Sequence, residues 1–190
     1  AAATILHRLV DFAAGSTDVE PALAGRWDIS PDGLEYTFHL RPDVKFHTTD
    51  YFKPTRTLNA DDVIWSFQRQ LDPNHPWHDK SLVGYPYFES MGFKNLLKSV
   101  DKVDDMTVKI TLNHAESPFL RDIAMPFNSI YSAEYADQLL KSGKTADLNA
   151  KPIGTGPFIF VRYNKDAQVR FKANPDYFRG KPPSDNLIFA

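Results

Sequence analysis

The 190-residue sequence contains no cysteine, which excludes disulfide staples, thiolate zinc sites and a cysteine nucleophile. The compartment stays open, because a chain of this length can bury an adequate core without disulfides even outside the cytosol. No apolar run approaches the roughly 18 residues that a membrane-spanning helix needs. Ala1 is not followed by the charged and then apolar stretches of an export signal; the abrupt start reads as a cut end, and any such signal has been removed or was never part of this piece. Neither sign of charge dominates: 22 Lys plus Arg meet 24 Asp plus Glu, leaving a net charge of -2, so no nucleic acid or anionic lipid partner is expected. There is no P-loop, nucleophile elbow or metal triad, and no internal repeat. What is present is apolar bulk, 42% of residues with 13% aromatic, which places the chain among globular folds. Its length suits one to one and a half domains of ordinary size.

The patterning is mixed and predicts an α+β fold. Ile5, Leu6, Leu9 and Val10 lie close to helical spacing and suggest a helix over residues 2–10, although no capping residue precedes it. Tyr36, Phe38 and Leu40 alternate with polar neighbours after Pro31-Asp32-Gly33, which reads as a hairpin over residues 27–41. Asn59 can cap a helix in which Asp62 sits at the third position and Val63, Ile64, Phe67 and Leu71 share a face. Residues 72–91, rich in proline and aromatic rings, read as a long ordered loop. A second hairpin follows over residues 100–112, turning at Asp104-Asp105. Ser117 before Pro118 and Ser132 each predict a helix start, the second helix stopping at Gly143. Beyond a polar stretch at 141–151, taken as the domain boundary, strands are expected at 158–163 and 168–173 around a turn at 164–166. Leu187-Ile188-Phe189 reads as a final buried strand whose partner is missing, as in an internal piece of a longer protein.

Few residues offer chemistry. His75 and His78 flank Pro76, which breaks the helix that a paired-imidazole site needs, and no third ligand stands at a standard spacing; no metal is expected there. The carboxylate pairs Asp61-Asp62, Asp104-Asp105 and Glu134 with Asp137 are explained by helix starts and turns, so an enzyme is not expected. Gly154-Thr155-Gly156 is too short for a phosphate loop and suits a tight lead-in to the strand at Phe158. The rings of Tyr85, Tyr87 and Phe88 can either wall a ligand site or cover the unit's own core, and the residues alone leave both open.

One long stretch goes further. Residues 22–47, running Ala22-Leu23-Ala24-Gly25-Arg26-Trp27 through Pro31-Asp32-Gly33 and Tyr36-Thr37-Phe38-His39-Leu40-Arg41 to Lys45-Phe46-His47, resemble the signature of the bacterial family 5 extracellular solute-binding proteins. Leu58-Asn59-Ala60-Asp61-Asp62-Val63, Lys102-Val103-Asp104-Asp105, Ser117-Pro118-Phe119-Leu120, Ile153-Gly154-Thr155-Gly156-Pro157-Phe158 and Asn174-Pro175-Asp176-Tyr177-Phe178 follow in that family's order. The resemblance covers essentially the whole chain and is nearest to the dipeptide-binding members, with haem-, antimicrobial-peptide- and nickel-binding members as alternatives. It implies part of a two-lobed type II periplasmic-binding-protein fold: residues 1–148 as a small accessory domain and 149–190 as the beginning of the first lobe's main sheet. It further implies a monomeric periplasmic receptor that hands short peptides to ABC transporter permease subunits, with no catalysis and no cofactor. Tyr85 and Tyr87 match aromatic positions near the ligand cleft, Gly154 to Gly156 lie where the chain crosses between domains, and the charged anchors for peptide termini belong to the other lobe. The reading from a different class is a non-transport interaction module or a hydrolase lobe.

Overall fold

Alternation is plainest in Glu35–Leu40, where Tyr36, Phe38 and Leu40 are buried while Thr37 and His39 are only partly covered. The computed structural model describes residues 5–163, 168–183 and 185–189. Its helices and sheets divide into two compact units, one built from residues 8–42 and 59–130, the other from residues 1–7, 43–58 and 131–190.

The first unit starts with a short ribbon, β1 (Val10–Phe12) antiparallel to β2 (Val19–Pro21). The helix expected to run through residue 10 gives way here to extended chain. The Leu9 carbonyl accepts from the N–H groups of Ala22 and Ala24, and this non-local pairing overrides the local apolar spacing. The first expected hairpin is present as β3 (Ala24–Ile29) and β4 (Glu35–Leu40). Its turn is stitched by Asp32, whose carboxylate accepts from the Ser30 hydroxyl at 2.6 Å and the Leu34 N–H at 3.0 Å, while Gly33 takes a φ of 73°.

Next comes α1 (Ala60–Leu71), opened by a capping box: the Asn59 side chain accepts from Asp61 N–H, and the Asp62 carboxylate accepts from Asn59 N–H, each at 3.0 Å. Val63 and Phe67 are buried on the expected face, with Ile64 and Leu71 half-buried beside them. Asn59→Ala should therefore cost about 1 kcal/mol in urea denaturation while Asn59→Asp keeps most of that stability, since either oxygen acceptor satisfies a first-turn N–H. Residues 72–91 are not wholly loop: a 3-10 turn covers His78–Lys80 and α2 (Pro86–Ser90) starts on a proline, which the first helical turn tolerates because its N–H needs no partner.

After α3 (Phe93–Leu96) the chain makes β5 (Leu97–Asp104) and β6 (Thr107–Leu112), the second expected hairpin. The four long strands form an antiparallel sheet in the order β3-β4-β6-β5. The helix α4 (Phe119–Ile123) starts one residue later than expected: Pro118, not Ser117, occupies the capping position, and no side chain caps it. A 3-10 turn at Pro126–Asn128 closes this unit.

In the second unit α5 (Ala133–Ser142) is capped as expected, the Ser132 hydroxyl accepting from Tyr135 N–H at 3.0 Å, and it ends on Gly143 at a φ of 70°. A short α6 (Asp147–Ala150) lies within the stretch taken for a polar boundary. The strands β7 (Phe158–Tyr163), β8 (Val169–Ala173) and β9 (Asn186–Phe189) form an antiparallel sheet in chain order. The final strand, expected to lack a partner, pairs with β8 upstream. The turn expected at 164–166 lies outside the described residues. Ile5, Leu6, Phe160 and Phe171 make a buried cluster.

The border between the units does not coincide with a single cut after residue 148. Residues 131–148 group with the last sheet because the Tyr135 hydroxyl donates to the Lys151 carbonyl at 2.7 Å. Residues 43–58 join them through the Tyr51 hydroxyl, which donates to the Pro152 carbonyl at 2.8 Å, and through Gln138, whose amide donates to the Tyr51 carbonyl at 3.0 Å. Among the described residues no helix is long and apolar enough to cross a membrane.

Candidate functional site

Two places concentrate side chains that could do more than fill space, one in each unit. In the first unit it is the aromatic segment between α1 and α3. Tyr85, at 9% exposure, turns inward, and its hydroxyl donates to the Trp77 carbonyl at 3.2 Å. Its ring lies 5.3 Å from His78, and the Arg69 guanidinium stands 5.7 Å from the Tyr85 ring and 5.2 Å from that of Trp65. His78 donates from Nδ1 to the Arg69 carbonyl at 2.7 Å, and His75 Nδ1 accepts from Trp77 N–H at 3.1 Å. Burial pushes the His75 pKa down, consistent with a neutral ring acting as acceptor. The segment is thereby clipped to the end of α1 by its own aromatic and imidazole side chains.

Tyr87 faces the other way. It is 62% exposed, and its ring stacks on Phe127 at 6.2 Å between centroids and 21° between planes. Leu82 and Val83, at 100% and 82% exposure, precede it at the tip of the same segment, while Phe88 is buried against Phe93. The residues had left open whether these rings wall a site or cover a core; they divide between the two roles. Tyr85 and Phe88 belong to the interior, and the surface ring pair is Tyr87 with Phe127. Sequence reasoning missed Phe127, although Met125-Pro126-Phe127, a proline-led apolar turn directly after a helix, is the kind of signal that could have found it. A flat ring with a free edge and a hydroxyl suits packing against extended peptide backbone at low entropic cost.

In the second unit the focus is His47, at 1% exposure. Its backbone N–H donates to the Gly154 carbonyl at 2.9 Å, its Nδ1 accepts from Gly154 N–H at 3.3 Å, and its Nε2–H donates to the Gly156 carbonyl at 2.9 Å. Gly156 N–H donates in turn to the Ile5 carbonyl at 2.8 Å. Gly154 packs so closely that a Cβ there would stand 2.0 Å from the Ile5 oxygen. Nearby, His7 Nε2 lies 2.6 Å from the Tyr177 hydroxyl. The Gly154-Thr155-Gly156 lead-in expected before β7 is thus buried, and it crosses beside Ile5 and His47 within the second unit instead of passing between the two units, as the family resemblance had implied. The same unit has an apolar cavity of about 220 Å³ walled by Ile5, Leu6, Tyr131, Phe160, Tyr163 and Phe171, among others.

The other polar candidates are absorbed by structure. Asp61 and Asp105 pair with Lys102 at 3.2 and 3.1 Å, and Asp137 with Lys141 at 2.8 Å. His39 meets Asp28 at 2.9 Å. Among the described residues no three His, Asp or Glu side chains converge as a metal site would require.

Comparison with known proteins gives the family. The sequence profile described as bacterial extracellular solute-binding proteins, family 5 middle, matches residues 18–190. The chain belongs to this family. Over 189 residues the family 5 chain is 68% identical to di/tripeptide-binding protein 4 of Pseudomonas aeruginosa (strain UCBPP-PA14), a match that covers 100% of this chain and 36% of that protein. It is 58% identical to heme-binding protein A of Haemophilus influenzae (strain ATCC 51907 / DSM 11121 / KW20 / Rd), covering 98% of this chain and 34% of that one. Its fold superposes on the crystal structure of a dipeptide-binding protein from Pseudoalteromonas sp. SM9913 in complex with Met-Leu, with a TM-score of 0.93, 40% identity, and coverage of 98% of this chain and 37% of the other. The mixed helix and sheet architecture of the family 5 chain is thus a part of a periplasmic-binding-protein fold. The chain spans about a third of the length of the curated relatives it matches.

Proposed function

We propose that this chain is part of the substrate-binding component of an ABC importer, which captures short peptides, dipeptides foremost, in the periplasm and passes them to membrane permease subunits. The observation that carries the reading is the 68% identity, along the entire chain, to a di/tripeptide-binding protein. The superposition on a Met-Leu complex supports the same ligand class. Such a receptor works as a monomer by closing two lobes on its ligand, so that contacts made to both lobes stabilise the closed state. Residues 149–190 begin the sheet of the first lobe, and β1 to β6 with their helices form the accessory domain. The anchors for the charged ends of the peptide lie in the other lobe, and no Asp or Arg of this chain takes that role. Tyr87, stacked on Phe127, packs against the peptide backbone, while Tyr85, turned inward beside Trp77, His78 and Arg69, fastens the same segment to α1. The bound peptide is released unchanged.

Identity to heme-binding protein A, at 58%, favours haem as the second reading. The experiment that separates them is thermal unfolding of the full-length protein with dipeptides, tripeptides, haem or a sugar. At a hundredfold excess over Kd a ligand stabilises by about 2.7 kcal/mol, so peptides should raise Tm by several degrees while haem and sugar leave it unchanged. Tyr87→Ala should weaken peptide binding about tenfold with little change in the unliganded Tm, because the ring is largely exposed. A full-length protein stabilised by haem and indifferent to peptides would overturn the peptide reading. Hydrolysed peptide in the recovered ligand would favour an enzyme.

A further inference from the structure

We infer that His47 is a proton-operated latch: as a neutral imidazole it ties the Gly154–Gly156 crossing to the 43–58 segment at both ring nitrogens, and protonation breaks the bond at Gly154 N–H and loosens that tie. The geometry leaves the ring one usable form. Nδ1 must be the acceptor for Gly154 N–H at 3.3 Å, and Nε2 must carry the proton given to the Gly156 carbonyl at 2.9 Å. A protonated imidazole bears N–H groups on both nitrogens, which sets Nδ1–H against Gly154 N–H, donor facing donor. Both groups are buried, so neither can turn to water for a substitute.

The crossing has little freedom to adjust. The Gly154 backbone is pressed against the Ile5 carbonyl, and Gly156 N–H is spent on that same oxygen at 2.8 Å. Loss of the imidazole contact therefore loosens residues 154–156 and their hold on Ile5 together.

Among the described residues, the groups that meet the ring do not compensate a positive charge. Both ring nitrogens meet backbone, not carboxylate. From the N-terminal segment comes His7, whose own charge would repel, and which sits on the Tyr177 hydroxyl at 2.6 Å. From the 174–177 segment comes the Asn174 amide, uncharged, donating to the same Gly156 carbonyl at 3.1 Å. Asp176 on that segment is largely exposed and faces Lys45 at 4.0 Å.

Burial holds the pKa of His47 down, from 6.5 to about 4, with His7 adding to the effect and the Gly156 bond opposing it. A histidine with a depressed pKa binds its proton more readily when its surroundings open. The latched state is accordingly at full strength above about pH 6.5, weakens as pH falls toward about 4, and loses nothing further below that.

The test is hydrogen exchange, read by mass spectrometry, over residues 152–157 of the full-length protein, corrected for the intrinsic pH dependence of exchange. Protection should drop on the order of tenfold or more between about pH 7 and about pH 5. In His47→Gln, whose side chain keeps a donor and an acceptor but does not titrate, it should change by less than about threefold over the same range. If that variant does not fold, an NMR titration of isotope-labelled imidazole in the unmodified protein decides. A single Nε2–H form at neutral pH, titrating well below the ordinary histidine value as the segment loses protection, upholds the latch. Protection that stays constant with pH, a His47→Gln variant that reproduces the drop, or an imidazole that titrates near 6.5 with the crossing still protected, each overturns it.

Discussion

Replacing Gly154 by alanine should remove about 3 kcal/mol or more of stability, read as a lower urea midpoint for the full-length protein. The reason is steric. A Cβ at this position would lie 2.0 Å from the Ile5 carbonyl oxygen, 2.8 Å from its carbonyl carbon and 2.9 Å from a Leu6 methyl. The first two are main-chain atoms and cannot rotate away as a side-chain tip would. Relief requires the close contact between Ile5 and the crossing to part, which sacrifices the Gly156 N–H to Ile5 bond and strains the His47 bridge. Gly25→Ala supplies the control. Gly25 is exposed at the irregularity between β3 and β4, and its Cβ would meet only the Arg41 side chain at an ordinary 3.7 Å. That substitution should stay within about 1 kcal/mol. Equal midpoints for Gly154→Ala and the unsubstituted protein would show that the crossing is looser than described.

Phe38→Ala should cost about 3–5 kcal/mol, the range for deleting a fully buried aromatic ring. Phe38 is at 0% exposure on β4, a central strand with β3 on one side and β6 on the other. It stands opposite Trp27 and Val108 in register, and its ring lies 6.4 Å from those of Trp27 and Tyr36. With strands bonded on both sides the backbone cannot collapse into the space, so the lost dispersion contacts and the cavity add. Thr37→Ala, one residue away on the opposite face, should cost about 1 kcal/mol or less. Denaturant unfolding with an unchanged m-value checks both, and a Phe38→Ala cost near that of Thr37→Ala would contradict the assignment of this face as core.

Much of the fold could be read in advance wherever the signal was local. The alternation of Tyr36, Phe38 and Leu40, the Asn59 capping box, the Ser132 cap and the stop at Gly143 each depend on residues within a few positions of one another, and each was legible. Failures came where distant chain decided the matter. Residues 8–12 carry apolar spacing compatible with a helix, but pairing with residues 19–24 made them extended. Ser117 had the composition of a cap, yet the helix began after Pro118.

At the site the same division holds. Tyr85 and Tyr87 look alike in sequence, and only the fold separates them. Trp77, His78 and Arg69 enclose the first, while Phe127, from another element, meets the second. The role of His47 was invisible for a related reason: its partners at Gly154 and Gly156 are more than a hundred residues away, and they are backbone atoms, which leave no compositional trace.

The interleaving of the two units also sets an order of events during synthesis. Everything the unit of residues 8–42 and 59–130 requires has emerged by Ile130, so its sheet can close while translation continues. Ile5 and Leu6, by contrast, emerge well before Gly156, Phe160 and Phe171, the described residues they bond to or cluster with. That cluster therefore forms later than the sheet of the other unit, at the cost of closing a long loop, and until then Ile5 and Leu6 stay open to a holding chaperone.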